Sequence, residues 1–138
     1  MNSDKKSKIL IIDDEKMNVF SLASSLKLQY DVIVAMNGCE GLEAAEKHKP
    51  DIILLDVLMP DISGFEALVK LKTSKITKDI PVFLVTSQDT AIDEEKGLLL
   101  GASDYITKPF NKEVLKKRIE THLKLASYIR AENSNNGT

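Results

Sequence analysis

A single cysteine, Cys39, in 138 residues excludes an intrachain disulfide and any cysteine metal cluster. Basic residues are not in excess either. Nineteen Lys and Arg against 21 Asp and Glu leave a net charge of −2, so the chain lacks the basic stripe that nucleic-acid binding draws on. No apolar run approaches the ~18 residues of a membrane span, and no stretch resembles a signal peptide. A cytoplasmic protein is the expectation, with no direct nucleic-acid partner and no membrane. An internal repeat and a second domain are also absent. What remains is ordinary for a globular protein, 43% apolar and 29% charged, and the length suits one domain with a real core.

The chain does have short apolar runs that stop at a polar group. In Asp51-Ile52-Ile53-Leu54-Leu55-Asp56-Val57-Leu58-Met59-Pro60, four consecutive apolar residues end in a lone carboxylate. A run so short and so uniformly apolar reads as a strand covered on both faces, as in a parallel sheet. Open parallel sheets bind ligands beyond the carboxyl ends of their strands, which makes Asp56 a candidate site residue by position alone. Ile9-Leu10-Ile11-Ile12 is a second such run and ends in Asp13, Asp14 and Glu15. Val32-Ile33-Val34 is a β-branched strand closed by an Asn37-Gly38 turn. Val82-Phe83-Leu84-Val85 ends in Thr86, and a short strand around Asp104-Tyr105-Ile106 leads to Lys108-Pro109-Phe110.

Helical spacing fills the intervals. It covers Lys16 to Leu28, Gly41 to Lys49 (stopped by Pro50), the stretch carrying Phe65, Leu68 and Leu71, about Thr90 to Leu100, and about Asn111 to Ala131. Five strands alternating with five helices give an α/β fold, a parallel sheet with helices on both faces. Residues 1–8 read as a flexible N-terminus, 9–131 as the folded domain with an extended last helix, and 132–138 as a linker-like tail.

Four strand ends therefore carry groups capable of chemistry: Asp13 with Asp14, Asp56, Thr86 and Lys108. If the strand order is the flavodoxin-like 2-1-3-4-5, the first and third strands adjoin at the switch point and three carboxylates meet. Like charges so close raise one another's pKa unless a cation sits among them. Mg²⁺ suits an all-oxygen set, taking one or two carboxylates plus waters and a phosphate. Three carboxylates, Mg²⁺ and Lys108 sum to zero charge. Such a set is a phosphoryl-transfer site, where positioning and charge neutralisation supply most of the catalysis. Asp56 would attack phosphorus in line and become an acyl phosphate, with Lys108 and Thr86 on two phosphoryl oxygens. Singly the residues are ordinary. An Asp pair at a helix start is usually a cap, Thr86 a β-branched strand end, Tyr105 a half-buried ring, Lys108 a solvated loop lysine. Met59 reads as a core plug; His48, His122 and Cys39 have no partners at ligand spacing.

In order and spacing, Asp13-Asp14, Asp56 with Met59-Pro60 and Gly64, Thr86-Ser87, and Tyr105 with Lys108-Pro109-Phe110 resemble a response-regulator receiver domain of two-component signalling, of the chemotaxis-regulator kind. The resemblance spans roughly Ile9 to Ile129. It implies that Asp56 accepts a phosphoryl group from a phosphohistidine on a sensor histidine kinase or phosphotransfer protein. It implies that Asp14, Asp56 and the backbone carbonyl of Leu58 ligate Mg²⁺, with Asp13 acting through a bound water. It further implies a cis peptide before Pro109, tolerated at an X-Pro bond and aiming Lys108 inward. Thr86 and Tyr105 would form the switch, the ring swinging in as the threonine closes on the phosphoryl group. Such a chain is a phosphoacceptor that assists its own phosphorylation and dephosphorylation, not a turnover enzyme. Leu58, two past Asp56, is apolar where many relatives are polar, and Gln88, two past Thr86, is polar; both flank the acyl phosphate and would set its lifetime.

On the same resemblance Gly97 and Leu98 pack inward. Leu99, where relatives usually show a polar side chain, shares a stripe with Ile92; the pair reads either as stray exposed apolar residues, which are common, or as an interface beside Tyr105 for a second copy on phosphorylation or another partner. Leu115, Ile119, His122, Ala126 and Ile129 follow the 4-3-4-3 spacing of a short coiled-coil seam, and the last helix reads as a lead-in to an output domain beyond the C-terminus or as a frayed tail. Three rivals fit less well. A phosphatase of the haloacid-dehalogenase type places a second Asp where this chain has Leu58. A flavodoxin-type flavin carrier needs a Ser-, Thr- and Gly-rich phosphate loop, whereas Asp13-Asp14-Glu15 repels phosphate. A receiver-like interaction module without phosphorylation has no need of the intact acid, hydroxyl and lysine set.

Overall fold

Successive side chains of a strand point to opposite faces of its sheet, so each apolar run in this chain supplies two layers at once. The computed structural model describes residues 6–87 and 91–136; Gln88 and the helix start expected at Thr90 lie outside the described residues, as do 1–5 and 137–138. The elements are β1 (Lys8–Ile12), α1 (Lys16–Leu26), β2 (Asp31–Ala35), α2 (Gly38–His48), β3 (Ile52–Leu55), α3 (Gly64–Thr73), β4 (Val82–Thr86), α4 (Ala91–Leu99), β5 (Asp104–Thr107) and α5 (Lys112–Asn136). All four strand pairings are parallel, and the sheet order is β2-β1-β3-β4-β5. The flavodoxin-like order is thus observed, with β1 and β3 adjacent and Ile12 paired with Leu55.

One face of the sheet, with Leu10, Ile12, Ile53, Leu55, Val82 and Leu84, packs against Ala45 of α2 and Ala67, Leu68 and Leu71 of α3. The other, with Ile9, Ile11, Ile52, Leu54, Phe83 and Val85, packs against Val19, Leu22 and Leu26 of α1 and Leu115 and Ile119 of α5. Phe83 is fully buried and meets the half-buried His122 ring edge-on at 4.8 Å, so His122 is a packing residue. Met59 packs against the first layer from its edge, only partly buried. No helix of the described residues is long and apolar enough to cross a membrane.

Two helix boundaries differ from the sequence expectation by three residues or more, and α1 stops at Leu26, two short of the expected Leu28. α2 begins at Gly38, three residues before the expected Gly41, because Asn37 caps it: the side chain accepts from Glu40 N at 2.9 Å and donates to the Glu40 carboxylate at 2.8 Å. Apolar spacing alone does not register a turn held by polar groups. α5 continues to Asn136, into the stretch that reads as linker; neither Pro nor Gly interrupts it before Gly137, and a helix already nucleated propagates through polar residues at little cost. The coiled-coil seam is also corrected. Leu115 and Ile119 are buried in the domain's own core and His122 packs on Phe83, which leaves only Ala126 and Ile129 of that seam for a partner.

Gly64, the first residue of α3, lies against the chain just after β3. A Cβ there would stand 2.3 Å from the Asp56 carbonyl oxygen and 2.6 Å from Val57 Cα, both backbone atoms that cannot rotate away. Gly64→Ala is therefore expected to lose roughly 1–3 kcal/mol through overpacking, more than the ~1 kcal/mol that alanine gains in helix propensity. Urea unfolding at equilibrium reads the difference.

Candidate functional site

The parallel register puts the carboxyl ends of β1, β3 and β5 along one edge, where a cleft of about 890 Å³ is lined by Asp13, Asp14, Asp56, Leu58, Ser87 and Lys108, among others. Asp13 N donates to Ala35 O at 3.1 Å and Asp56 N to Ile12 O at 3.0 Å, so both acids are held by the last rungs of the sheet. Carboxylate oxygens of Asp13, Asp14 and Asp56 lie within 4.8 Å of one another, the first and third buried and the second exposed. Lys108 Nζ bridges two of them, 3.0 Å from Asp13 Oδ2 and 3.4 Å from Asp56 Oδ2. The Lys108–Pro109 peptide is cis, and Lys108 N donates to Thr86 O at 2.8 Å. The four strand-end groups named from sequence thus converge, with one exception. Thr86 has no exposed surface, and Ser87, its neighbour, lines the cleft instead.

The electrostatics follow from burial. Loss of water raises the pKa of Asp56 above the ordinary carboxylate value, Lys108 and the Leu58 N–H (3.3 Å from Asp56 Oδ1) pull it down, and the Asp13 charge pushes it up again. For Lys108 burial acts to lower the pKa, but hydrogen bonds and charge from Asp13 and Asp56 outweigh it and the net shift is upward. One ammonium therefore faces three carboxylates, leaving two negative charges and only hard oxygen donors. A small divalent cation fits that donor set.

Leu58 is half-exposed at the cleft rim. Tyr105 is buried, and it needs Gly97 to be so: a Cβ on Gly97 would lie 2.6 Å from Leu84 Cδ1 and 3.2 Å from Tyr105 Cδ2. Ile92 and Leu99 of α4 are each 79% exposed. Leu98 is exposed as well, not inward, because Gly97 alone turns to the sheet at that point of the helix. One residue escaped the sequence reading. Asp61, in the β3–α3 loop, accepts from Gly38 N at 3.0 Å and Cys39 N at 2.8 Å, the first turn of α2. Only the order of strands brings those loops together; the one local hint is an acid beside Pro60.

An open α/β sheet with an acid-lined, lysine-bridged cleft at its switch point defines a doubly wound ligand-binding protein. The chain belongs to the response regulator receiver domain family, whose model matches residues 9–120. It is 39% identical to protein PilH of Pseudomonas aeruginosa over 118 residues, covering 85% of this chain and 98% of PilH. It is 41% identical to the alkaline phosphatase synthesis transcriptional regulatory protein PhoP of Bacillus subtilis over 118 residues, 85% of this chain and 48% of PhoP. The chain thus spans nearly all of one relative and about half of the other. A CheY-like response regulator receiver domain protein from Methanospirillum hungatei superposes with a TM-score of 0.84 at 29% identity, covering 90% of this chain and 98% of that one.

A carboxyl whose pKa is higher in the folded than in the unfolded state binds protons on folding, so stability falls as pH rises from the ordinary carboxylate value through the raised one. Asp56→Asn removes that penalty and leaves Lys108 its bond to Asp13. Without divalent metal the variant is expected to melt a few degrees above wild type at pH 7, the gap closing towards pH ~4. Thermal melts followed by circular dichroism measure it; a variant less stable at pH 7 contradicts the assignment.

Proposed function

We propose that this chain is a phosphorylation-switched signalling receiver acting in the cytoplasm, with Asp56 as phosphoacceptor. The observation that carries the reading is the bridged acid trio: Asp56 at the end of β3, within 4.8 Å of Asp13 and Asp14, with Lys108 on its Oδ2. A carboxylate oxygen of Asp56 attacks the phosphorus of a phosphohistidine in line. The new P–O bond forms as the P–N bond breaks, and the imidazole of the sensor kinase or phosphotransfer protein leaves with the electron pair. Lys108 passes from bridging two carboxylates to holding a phosphoryl oxygen. Asp14, Asp56 and the Leu58 carbonyl would hold Mg²⁺, with Asp13 acting through a water; the ion would neutralise charge on the transferring group. Thr86 reaches the phosphoryl group only by leaving its buried position, and that movement, with Tyr105 packed inward beside Gly97, is the switch.

Intact mass after incubation with Mg²⁺ and a small phosphodonor is expected to rise by one phosphoryl group in wild type and not in Asp56→Asn, and chelation of the metal abolishes the rise. Uptake by both proteins, or by neither, removes the assignment.

The exposed pair Ile92 and Leu99 supports an output face on α4, for a second copy after phosphorylation, and α5 would lead into an output domain where one follows, as the greater length of PhoP illustrates. Leu99→Glu is expected to leave phosphorylation intact and to abolish any self-association that the phosphodonor induces, read by sedimentation velocity. Unchanged self-association removes Leu99 from the interface.

A further inference from the structure

The loop from Asp56 to Gly64 is tied at two points. At its base Gly64 N donates to Val57 O at 2.8 Å, and the absent Gly64 side chain lets the two strands of the loop touch. At its tip both carboxylate oxygens of Asp61 are engaged, Oδ1 by Gly38 N at 3.0 Å and Oδ2 by Cys39 N at 2.8 Å. The two elements are also in close contact beside that clamp, since a Cβ on Gly38 would stand 2.4 Å from Ile62 Cγ1. Backbone donors hold the Asp61 carboxyl well below the usual carboxylate range, so it is ionised and bonded at neutral pH. Between the two ties lies Leu58, whose N–H reaches Asp56 Oδ1 and whose carbonyl is the third protein ligand in the reading above.

We propose that Asp61 is a positioning residue for the metal site: by clamping the β3–α3 loop to the first turn of α2 it holds the Leu58 backbone at the spacing that a divalent cation shared with Asp14 and Asp56 requires. The inference rests on the proposed function and adds a residue that touches neither metal nor phosphoryl group. A loop freed at its tip keeps the carboxylates in place but lets the carbonyl wander, so the loss falls on metal affinity and not on the chemistry once metal is bound. Residues that orient metal ligands from behind typically change affinity by roughly 10–100-fold.

The experiment is a Mg²⁺ titration of the full chain followed by backbone amide shifts, beside phosphorylation rates at limiting and saturating Mg²⁺ with a small phosphodonor. Asp61→Ala is expected to weaken Mg²⁺ binding roughly 10-fold, to slow phosphorylation at limiting Mg²⁺, and to return close to the wild-type rate at saturation. Asp61→Asn, which keeps one acceptor oxygen, shows a smaller loss and decides the matter where the alanine variant does not fold. Asn37→Ala removes the neighbouring cap on Glu40 N without touching the loop, and is expected to lower the melting temperature while leaving Mg²⁺ affinity unchanged. Unchanged affinity in the Asp61 variants, or an equal loss in Asn37→Ala, overturns the proposal. A wild-type chain that binds no Mg²⁺ overturns the proposed function itself, and this inference with it.

Discussion

Two carboxylates buried at adjacent strand ends repel each other and have lost most of their water, and a fold that keeps them both must supply positive charge. Here Lys108 supplies it from β5, reaching across β4 to the ends of β1 and β3. Its bond to Asp13 is the shorter, and burial, the largest cause, raises the pKa of Asp56 despite the lysine. That inequality is useful chemically. On the proposed function the carboxylate at the longer distance from the lysine is the one that reacts, while Asp13 keeps the ammonium in place. Because one lysine cannot neutralise three acids, the site retains a deficit of positive charge that a divalent cation would offset. Removing the lysine would leave two buried acids facing each other, so the pocket depends on this bridge for both its shape and its reactivity.

The ends of the strands can carry such costs because the middles are so uniformly apolar. Ile9 to Ile12, Ile52 to Leu55 and Val82 to Val85 are buried on both faces, and their side chains divide cleanly between the two helical layers. That division is why the strands were legible: a short, uniform apolar run between turn residues has few other uses. The convergence of Asp13, Asp56 and Lys108 was legible too, since each sits one or two residues past a run and the switch point follows from topology. The residues that were not legible are those whose partners are distant and polar. Asp61 meets Gly38 and Cys39 across 23 and 22 residues, and no periodicity reports such a pair. The early start of α2 escaped for the same reason, because the Asn37 cap and not an apolar stripe begins it. Leu98 misled in the opposite sense: an apolar residue beside Gly97 looks inward, yet the helix offers the sheet only the glycine.

That last point bears on how a local event at Asp56 reaches the surface. α1, α2, α3 and α5 each bury at least one apolar side chain in a core layer, and two are further held by capping side chains at Asn37 and Ser63. α4 contributes Gly97 as its one buried residue and leaves Ile92, Leu98 and Leu99 in water. It meets the rest of the fold through, among others, a lysine–aromatic contact, Lys96 Nζ 4.5 Å above the Phe65 ring, and the packing of Tyr105 under Gly97. Elements with little buried apolar area open at the lowest free-energy cost. The fold is therefore firmly packed along β1, β3, β4 and the clamped loop, and more lightly held at α4. On the proposed function, a few hydrogen bonds to a phosphoryl group, small beside the whole domain's stability, would act most readily on the least buried helix. On that reading, the same asymmetry of burial that leaves Leu99 exposed would make α4 the surface that a change at Asp56 moves.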